Sequence, residues 1–323
     1  MAVCAALGVC VLGANPVLAA NANSASAVEV NSIPGYGVPG MMLPSADGDL
    51  QRAALMLKDG NFQGAATELR NVLAKPLDDN VRAQAMLMLA QTLLLSGDKE
   101  CVELCRALHD EYGTSPVGVA ALLTLGDWYF FASEYGEASL FYEQYADISQ
   151  RPEYAYRLAV CRLYTGRYEQ GIRLLEPLAA GNSEFRVPAL FYIAWADYAT
   201  DKLATARKAL EMVAPQLPQA NASATGHDMK YLPTQLDAGY YLAQIDFRQG
   251  DYRSAADRSA SLLRQNMPEE YRAELNRIAG ESLFLLDRHE AAEPYLKAYL
   301  SATQTPSASA SYAMGAIAYG DGR

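Results

Sequence analysis

The sequence predicts an all-α fold of about seven and a half stacked pairs of antiparallel helices. Two observations carry the prediction. A short turn element recurs along the chain, and its third residues Tyr135, Tyr168 and Leu203 lie 33 and 35 residues apart. Each turn is flanked by segments whose apolar residues recur every three or four positions rather than every two, which favours helices over strands.

The turns share a first residue that is Gly, Asp or Ser, which suits a helix terminus and the cap that follows it. The seven turns are Gly60-Asn61-Phe62, Gly97-Asp98, Ser133-Glu134-Tyr135, Gly166-Arg167-Tyr168, Asp201-Lys202-Leu203, Gly250-Asp251-Tyr252 and Asp287-Arg288-His289. The second turn is one residue shorter than the others.

A small residue stands in each helix beside every turn, as close approach of two helix axes requires. Before the turns these residues are Ala53, Ala90, Gly126, Ala159, Ala194, Ala243 and Gly280. After the turns they are Ala65, Cys101, Ala138, Gly171, Ala206, Ala255 and Ala292. Two short helices cannot bury their apolar faces alone, so successive pairs are expected to stack.

This pattern resembles the tetratricopeptide repeat, whose motif places Leu-Gly and an aromatic residue in the first helix. The third repeat matches best, through Leu125-Gly126, Tyr129, Tyr135, Ala138 and Tyr142. The resemblance covers about residues 49–323 and implies a right-handed α-solenoid. Met314-Gly315 begins an eighth repeat that stops at its turn, so we expect the native protein to continue past Arg323.

The first 48 residues differ from the repeats. Residues 1–27 contain no charged side chain, and the apolar run Ala2 to Gly13 is followed by Asn15-Pro16 and a small-residue cleavage pattern at 20–22. We therefore expect residues 1–22 to be a signal peptide, although a basic n-region is missing; an uncleaved anchor or a disordered tail is the alternative. Residues 23–48, rich in Asn, Ser, Ala, Gly and Pro, are predicted to be a flexible linker.

About 14 extra residues separate the fifth and sixth repeats, between Pro215 and Pro233. The insertion is polar and contains helix-breaking prolines, so it is either a disordered spacer or a contact loop. Thr234 with Asp237 is predicted to cap the helix that follows.

The sequence contains no His-Glu-x-x-His, Cys-x-x-Cys, glycine-rich phosphate-loop or Gly-x-Ser-x-Gly motif, and we expect a non-enzymatic protein with no cofactor. Cys101, Cys105 and His109 share one helix face at the spacing of a soft-metal site. The repeat pattern instead places both cysteines at packing positions, which favours a buried core role, and Cys161 also falls at a small position of a first helix.

The expected function is an interaction scaffold for a protein or peptide, since solenoids present an extended surface. A net charge of −11 argues against nucleic acid as the partner. If residues 1–22 are a signal peptide, we expect the protein to be periplasmic or exported in a bacterium. If they are not, we expect it to be cytoplasmic. Any association with a membrane is expected to be indirect or to occur through the N-terminal segment. The alternatives are an accessory repeat region of a larger exported enzyme or assembly, or a solenoid that binds a glycan or other small ligand.

The resemblance implies that the first helices line a concave groove, chiefly at positions two, five, nine and twelve of each repeat. In the later repeats those positions form an aromatic stripe. The predicted partner-binding residues are Tyr156, Phe191, Trp195, Tyr198, Tyr240, Phe247 and Phe284. The family's carboxylate clamp needs Asn at position nine, which here holds Trp195, Gln244 or Glu281 in the last repeats. The alternative is that these rings pack against neighbouring helices or the long loop.

Overall fold

A computed structural model describes residues 48–145, 151–219 and 232–320 of the chain, and every regular element in those ranges is helical. The predictions of a signal peptide over 1–22 and of most of the linker over 23–48 lie outside the described residues, as does most of the insertion. None of the helices in the described ranges is both long and apolar enough to cross a membrane.

The chain divides into two compact units. In the described part of the first unit the helices are α1 (Gly48–Lys58), α2 (Phe62–Leu73), α3 (Asp79–Ser96), α4 (Glu100–Tyr112), α5 (Pro116–Phe131), α6 (Tyr135–Tyr142), α7 (Pro152–Tyr164) and α8 (Tyr168–Ala180), which ends just past the division. The helices of the second unit are α9 (Arg186–Ala199), α10 (Leu203–Val213), α11 (Gln235–Arg248), α12 (Tyr252–Leu262), α13 (Glu269–Leu285), α14 (His289–Ala302) and α15 (Ala308–Gly320).

Between residues 48 and 320, the described helices form seven antiparallel pairs followed by the single helix α15, as the turn spacing predicts. In the first unit, the first helices α3 and α5 of neighbouring pairs contact each other. In the second unit α9 contacts α11, α11 contacts α13, and α13 contacts α15. Each pair therefore buries its apolar face against the next pair of its unit.

The small residues beside the turns are buried, as predicted, and the glycines among them show why larger side chains are excluded. A Cβ atom added to Gly126 would lie 2.6 Å from Cε1 of Tyr142. One added to Gly280 would lie 2.7 Å from Cγ of Leu296. Helix axes approach so closely here that the partner side chain occupies the place of a methyl group.

The first residue of each turn adopts the left-handed backbone conformation. Gly60, Gly97, Gly166 and Gly250 do so without steric cost, whereas three repeats use a side-chain-bearing residue. Those residues are Ser133, Asp201 and Asp287. The predicted cap of α11 is confirmed, because Thr234 and Asp237 form a complete capping box.

Candidate functional site

The seven residues of the predicted stripe differ in exposure. Tyr156, on α7 of the first unit, is 3% exposed, and Phe191 and Trp195, on α9 of the second unit, are 1% and 4% exposed. Trp195 lies edge-on to Tyr192 at 6.4 Å between ring centroids. These three rings are packed as the core alternative describes, and they offer almost no surface to a partner; that the stripe binds one remains a prediction.

The side chain of Tyr240 also packs against other residues of the second unit. Its ring stacks on Tyr271 with centroids 3.9 Å apart, and burial together with the charge of Glu274 raises the pKa of its phenol. Tyr271 in turn donates a hydrogen bond of 2.8 Å to the buried carboxylate of Asp237. Tyr240 therefore helps to join α11 to α13.

Three further members of the stripe are half-buried on consecutive first helices of the second unit, as Tyr240 is, and we call these three the aromatic row. They are Tyr198 on α9, Phe247 on α11 and Phe284 on α13. Each lies three residues before the turn of its own repeat, so the rings occupy equivalent positions.

A cationic or imidazole side chain from a following helix covers each ring of the row. The guanidinium carbon of Arg248 lies 5.3 Å from the centroid of Tyr198, and that of Arg277 lies 5.2 Å from Phe247. The ring of His289 stacks on Phe284 at 5.0 Å. Such cation–π and stacking contacts hold aromatic side chains in fixed orientations.

The charged groups beside the row are paired. Arg277 makes hydrogen bonds of 2.6 and 2.8 Å to Glu274 and one of 2.9 Å to Glu281. Burial opposes the charge of Arg277, but these carboxylates outweigh it and raise its pKa. Arg248 pairs with Asp201 at 2.6 Å.

At position nine, where the family's carboxylate clamp has an asparagine, this chain has side chains that hydrogen-bond to the neighbouring repeat. Glu281 accepts hydrogen bonds of 2.9 and 2.8 Å from Ser307 and Ser309, and Gln244 accepts one from the hydroxyl of Tyr198. These polar groups therefore connect the helices of the second unit.

In the first unit, position nine of the third repeat holds Asp127, which forms a buried ion pair that was not predicted from the sequence. Asp127 on α5 accepts hydrogen bonds of 2.6 Å from Arg157 on α7 and of 2.6 Å from the hydroxyl of Tyr142. Both charged side chains are buried, and the guanidinium of Arg157 lies 5.5 Å from the ring of Phe131. The partners are 30 positions apart, so no local pattern joined them.

The cysteines of α4 are packed as predicted. Cys101 and Cys105 are fully buried with their Sγ atoms 3.9 Å apart. The hydrogen bond to Cys101, together with burial, raises the pKa of the Cys105 thiol. His109 approaches the carbonyl oxygen of Gly118 at 3.3 Å. Within the described ranges, no group of three or more His, Cys, Asp or Glu side chains is arranged to hold a metal ion.

Comparison with known proteins identifies the fold. No protein-family model matches the chain, and no curated protein matches it. A solved tetratricopeptide repeat protein from Parabacteroides merdae ATCC 43184 is 11% identical, with a TM-score of 0.55 over 83% of this chain and 97% of that one. The structure of the APC/C hetero-tetramer Cut9–Hcn1 is 15% identical, with a TM-score of 0.50, and the match covers 86% of this chain and 50% of that one. The chain therefore has the tetratricopeptide-repeat fold.

Proposed function

We propose that this protein is a non-catalytic scaffold that binds a protein or peptide partner through the aromatic row of its second unit. The observation that carries the proposal is that Tyr198, Phe247 and Phe284 are only half-buried at one repeat position on three consecutive first helices. Preoriented aromatic side chains supply much contact area at low entropic cost. The Cut9–Hcn1 hetero-tetramer supports the proposal as a chain of similar fold that assembles with another protein.

The partner that suits the row is an apolar segment, extended or helical, with side chains that pack between the rings. The adjoining arginines are already paired with carboxylates, so they hold the rings rather than attract an acidic partner. The net charge of −11 disfavours nucleic acid.

We also propose that the scaffold acts in the periplasm or outside the cell. Support comes from residues 1–27, which lack charged side chains and contain an apolar run of signal-peptide length. Mass spectrometry of the intact protein recovered from a periplasmic fraction tests this. A mature N-terminus near residue 23 is expected, whereas a full-length cytoplasmic chain would contradict the proposal.

Site-specific photocrosslinking tests the binding proposal. The photoreactive analogue p-benzoylphenylalanine, which resembles Phe, replaces Phe247 in one variant and Phe284 in another. A third variant carries it at Met212, which is 62% exposed on the second helix α10 of the same unit. Irradiation in cells of the source organism should produce one discrete crosslinked partner from Phe247 and Phe284, and none from Met212.

The identity of the crosslinked species decides the outcome. The same protein captured from both row positions supports the proposal. Equal capture from Met212, or no crosslink from either row position, would show that the partner does not bind at the row.

A further inference from the structure

A pocket lies in the second unit, apart from the aromatic row, where the insertion separates α10 from α11. Its volume is about 680 Å³, within the range of roughly 300–1,000 Å³ usual for small-molecule sites. It is lined by Ala214, Pro215, Gln219, Gln235, Gly239, Leu242, Arg258, Leu262 and Gln265. We call this the amide-lined pocket.

One wall of the amide-lined pocket is apolar. Gly239 and Leu242 from α11 face Leu262 from α12, with Ala214 and Pro215 completing the wall. A Cβ atom on Gly239 would lie 2.9 Å from Cδ2 of Leu262, so the glycine lets Leu262 pack directly against α11 in this wall. Such a wall suits a flexible hydrocarbon chain.

The polar part of the pocket lining consists of Arg258 and the three glutamines. Nε of Arg258 donates a hydrogen bond of 2.8 Å to Oδ2 of Asp246. Within the described residues, the two terminal nitrogens of Arg258 have no hydrogen-bond partner, although the residue lines the pocket. The edge of a guanidinium that carries both terminal nitrogens matches the two oxygens of a carboxylate.

Arg258 shares its carboxylate partner with a second arginine. Asp246 is fully buried and is shared between Arg258 and Arg207, whose Nη2 lies 2.8 Å from Oδ1. Two guanidinium groups therefore face one buried carboxylate. Asp251 is solvent-exposed and caps α12 by accepting a hydrogen bond from the backbone of Ser254; the hydrogen bonding with Ser254 and the nearby charges of Arg207 and Arg258 lower its pKa.

We propose that the amide-lined pocket binds a medium-length aliphatic carboxylic acid. The carboxylate lies against the terminal nitrogens of Arg258, the hydrocarbon chain lies along Leu242 and Leu262, and the glutamine amides bond the remaining carboxylate lone pairs. A charge-assisted bidentate pair is favoured where water is partly excluded. This site is independent of the aromatic row, so its failure would leave the scaffold proposal intact.

The test is a titration of the full chain with octanoate, followed through the ¹³C-labelled methyl groups of Leu242 and Leu262. Octanamide, which has the same chain and no charge, is the ligand control. We expect saturable shifts at both leucines with octanoate, and binding of octanamide weaker by about tenfold or more.

Two arginine variants provide a matched pair. Arg258→Gln and Arg207→Gln each remove one partner of Asp246, but only Arg258 lines the pocket. Octanoate affinity should fall by about tenfold or more in Arg258→Gln and stay within about twofold of the parent in Arg207→Gln. Thermal unfolding of both variants shows whether each remains folded.

A third variant keeps the proposal testable if Arg258→Gln unfolds. Gly239→Ala retains both ion pairs but displaces Leu262 from its position in the apolar wall, so it should weaken the binding of octanoate and octanamide alike. The proposal is overturned if octanoate leaves the two leucine methyl groups unshifted, if octanamide binds equally well, or if folded Arg258→Gln binds octanoate as the parent does.

Discussion

At the scale of single residues, the ion pair Asp127–Arg157 is buried within the first unit. Asp127→Asn should lower the free energy of unfolding by about 3–5 kcal/mol, because it leaves the guanidinium of Arg157 buried without a counter-charge. Urea unfolding measures the loss.

Glu143→Gln is the matched control. Glu143 also pairs with arginines, Arg162 at 3.4 Å and Arg167 at 2.7 Å, but its side chain is 31% exposed. A surface pair contributes about 1 kcal/mol or less. Equal losses in Asp127→Asn and Glu143→Gln would show that burial does not govern the first interaction.

A second residue prediction concerns the carboxyl group of Asp237. Burial raises its pKa, although hydrogen bonds from Thr234 and Tyr271 oppose the shift. The folded pKa lies above the unfolded one, so this group favours folding when protonated, below its unfolded pKa. The contribution is lost as pH rises through the folded pKa.

An NMR titration of the Asp237 carboxyl carbon measures this pKa directly. Tyr271→Phe removes the hydroxyl that donates to Asp237 and should raise the pKa further. A parent pKa at or below 3.8, or a lower value in Tyr271→Phe, would contradict the assignment.

At the scale of helices, the close approach of α5 and α6 depends on Gly126. Gly126→Ala should destabilise the protein by about 1–3 kcal/mol, because the new methyl group meets the buried ring of Tyr142 at 2.6 Å. Gly136→Ala, in the first turn of α6, meets nothing within 4 Å and should be neutral or stabilising by up to about 1 kcal/mol. Thermal unfolding of both variants measures the two changes in stability. Equal changes in Gly126→Ala and Gly136→Ala would show that the contact with Tyr142 does not limit the residue at position 126.

The packing of α9 is tested at Trp195. Trp195→Ala should lower the free energy of unfolding by about 3–5 kcal/mol, since the ring is 4% exposed and its removal leaves a cavity. Denaturant unfolding measures this. Unchanged stability with loss of partner binding would instead identify Trp195 as a contact residue.

The helix pairs could be predicted because their determinants are local. Gly126 and Ala159 recur at a fixed distance from their turns, and such spacing is visible in one sequence. The exposure of individual stripe residues was not predictable in the same way. Trp195 and Phe247 both fall at groove positions, yet only Phe247 retains exposed surface, because burial depends on which side chains the neighbouring helices supply.

At the scale of the whole molecule, the central claim is that a chain of stacked helix pairs binds its partner through the aromatic row of one unit. Stability in such repeats comes mainly from contacts between neighbouring repeats. Side chains that are only half-buried at equivalent positions keep surface for a partner. Phe247 and Phe284 are therefore expected to contribute to affinity more than to folding.

The most direct measurement is the affinity of the crosslinked partner for the parent chain and two variants, by calorimetry. The variant Phe247→Ala with Phe284→Ala should bind about 30-fold more weakly, a loss of about 2 kcal/mol, while unfolding stays cooperative. Leu285→Ala, which truncates a neighbouring apolar side chain that is 51% exposed, should bind as the parent does. Unchanged affinity in the double variant, or an equal loss in Leu285→Ala, would contradict the account.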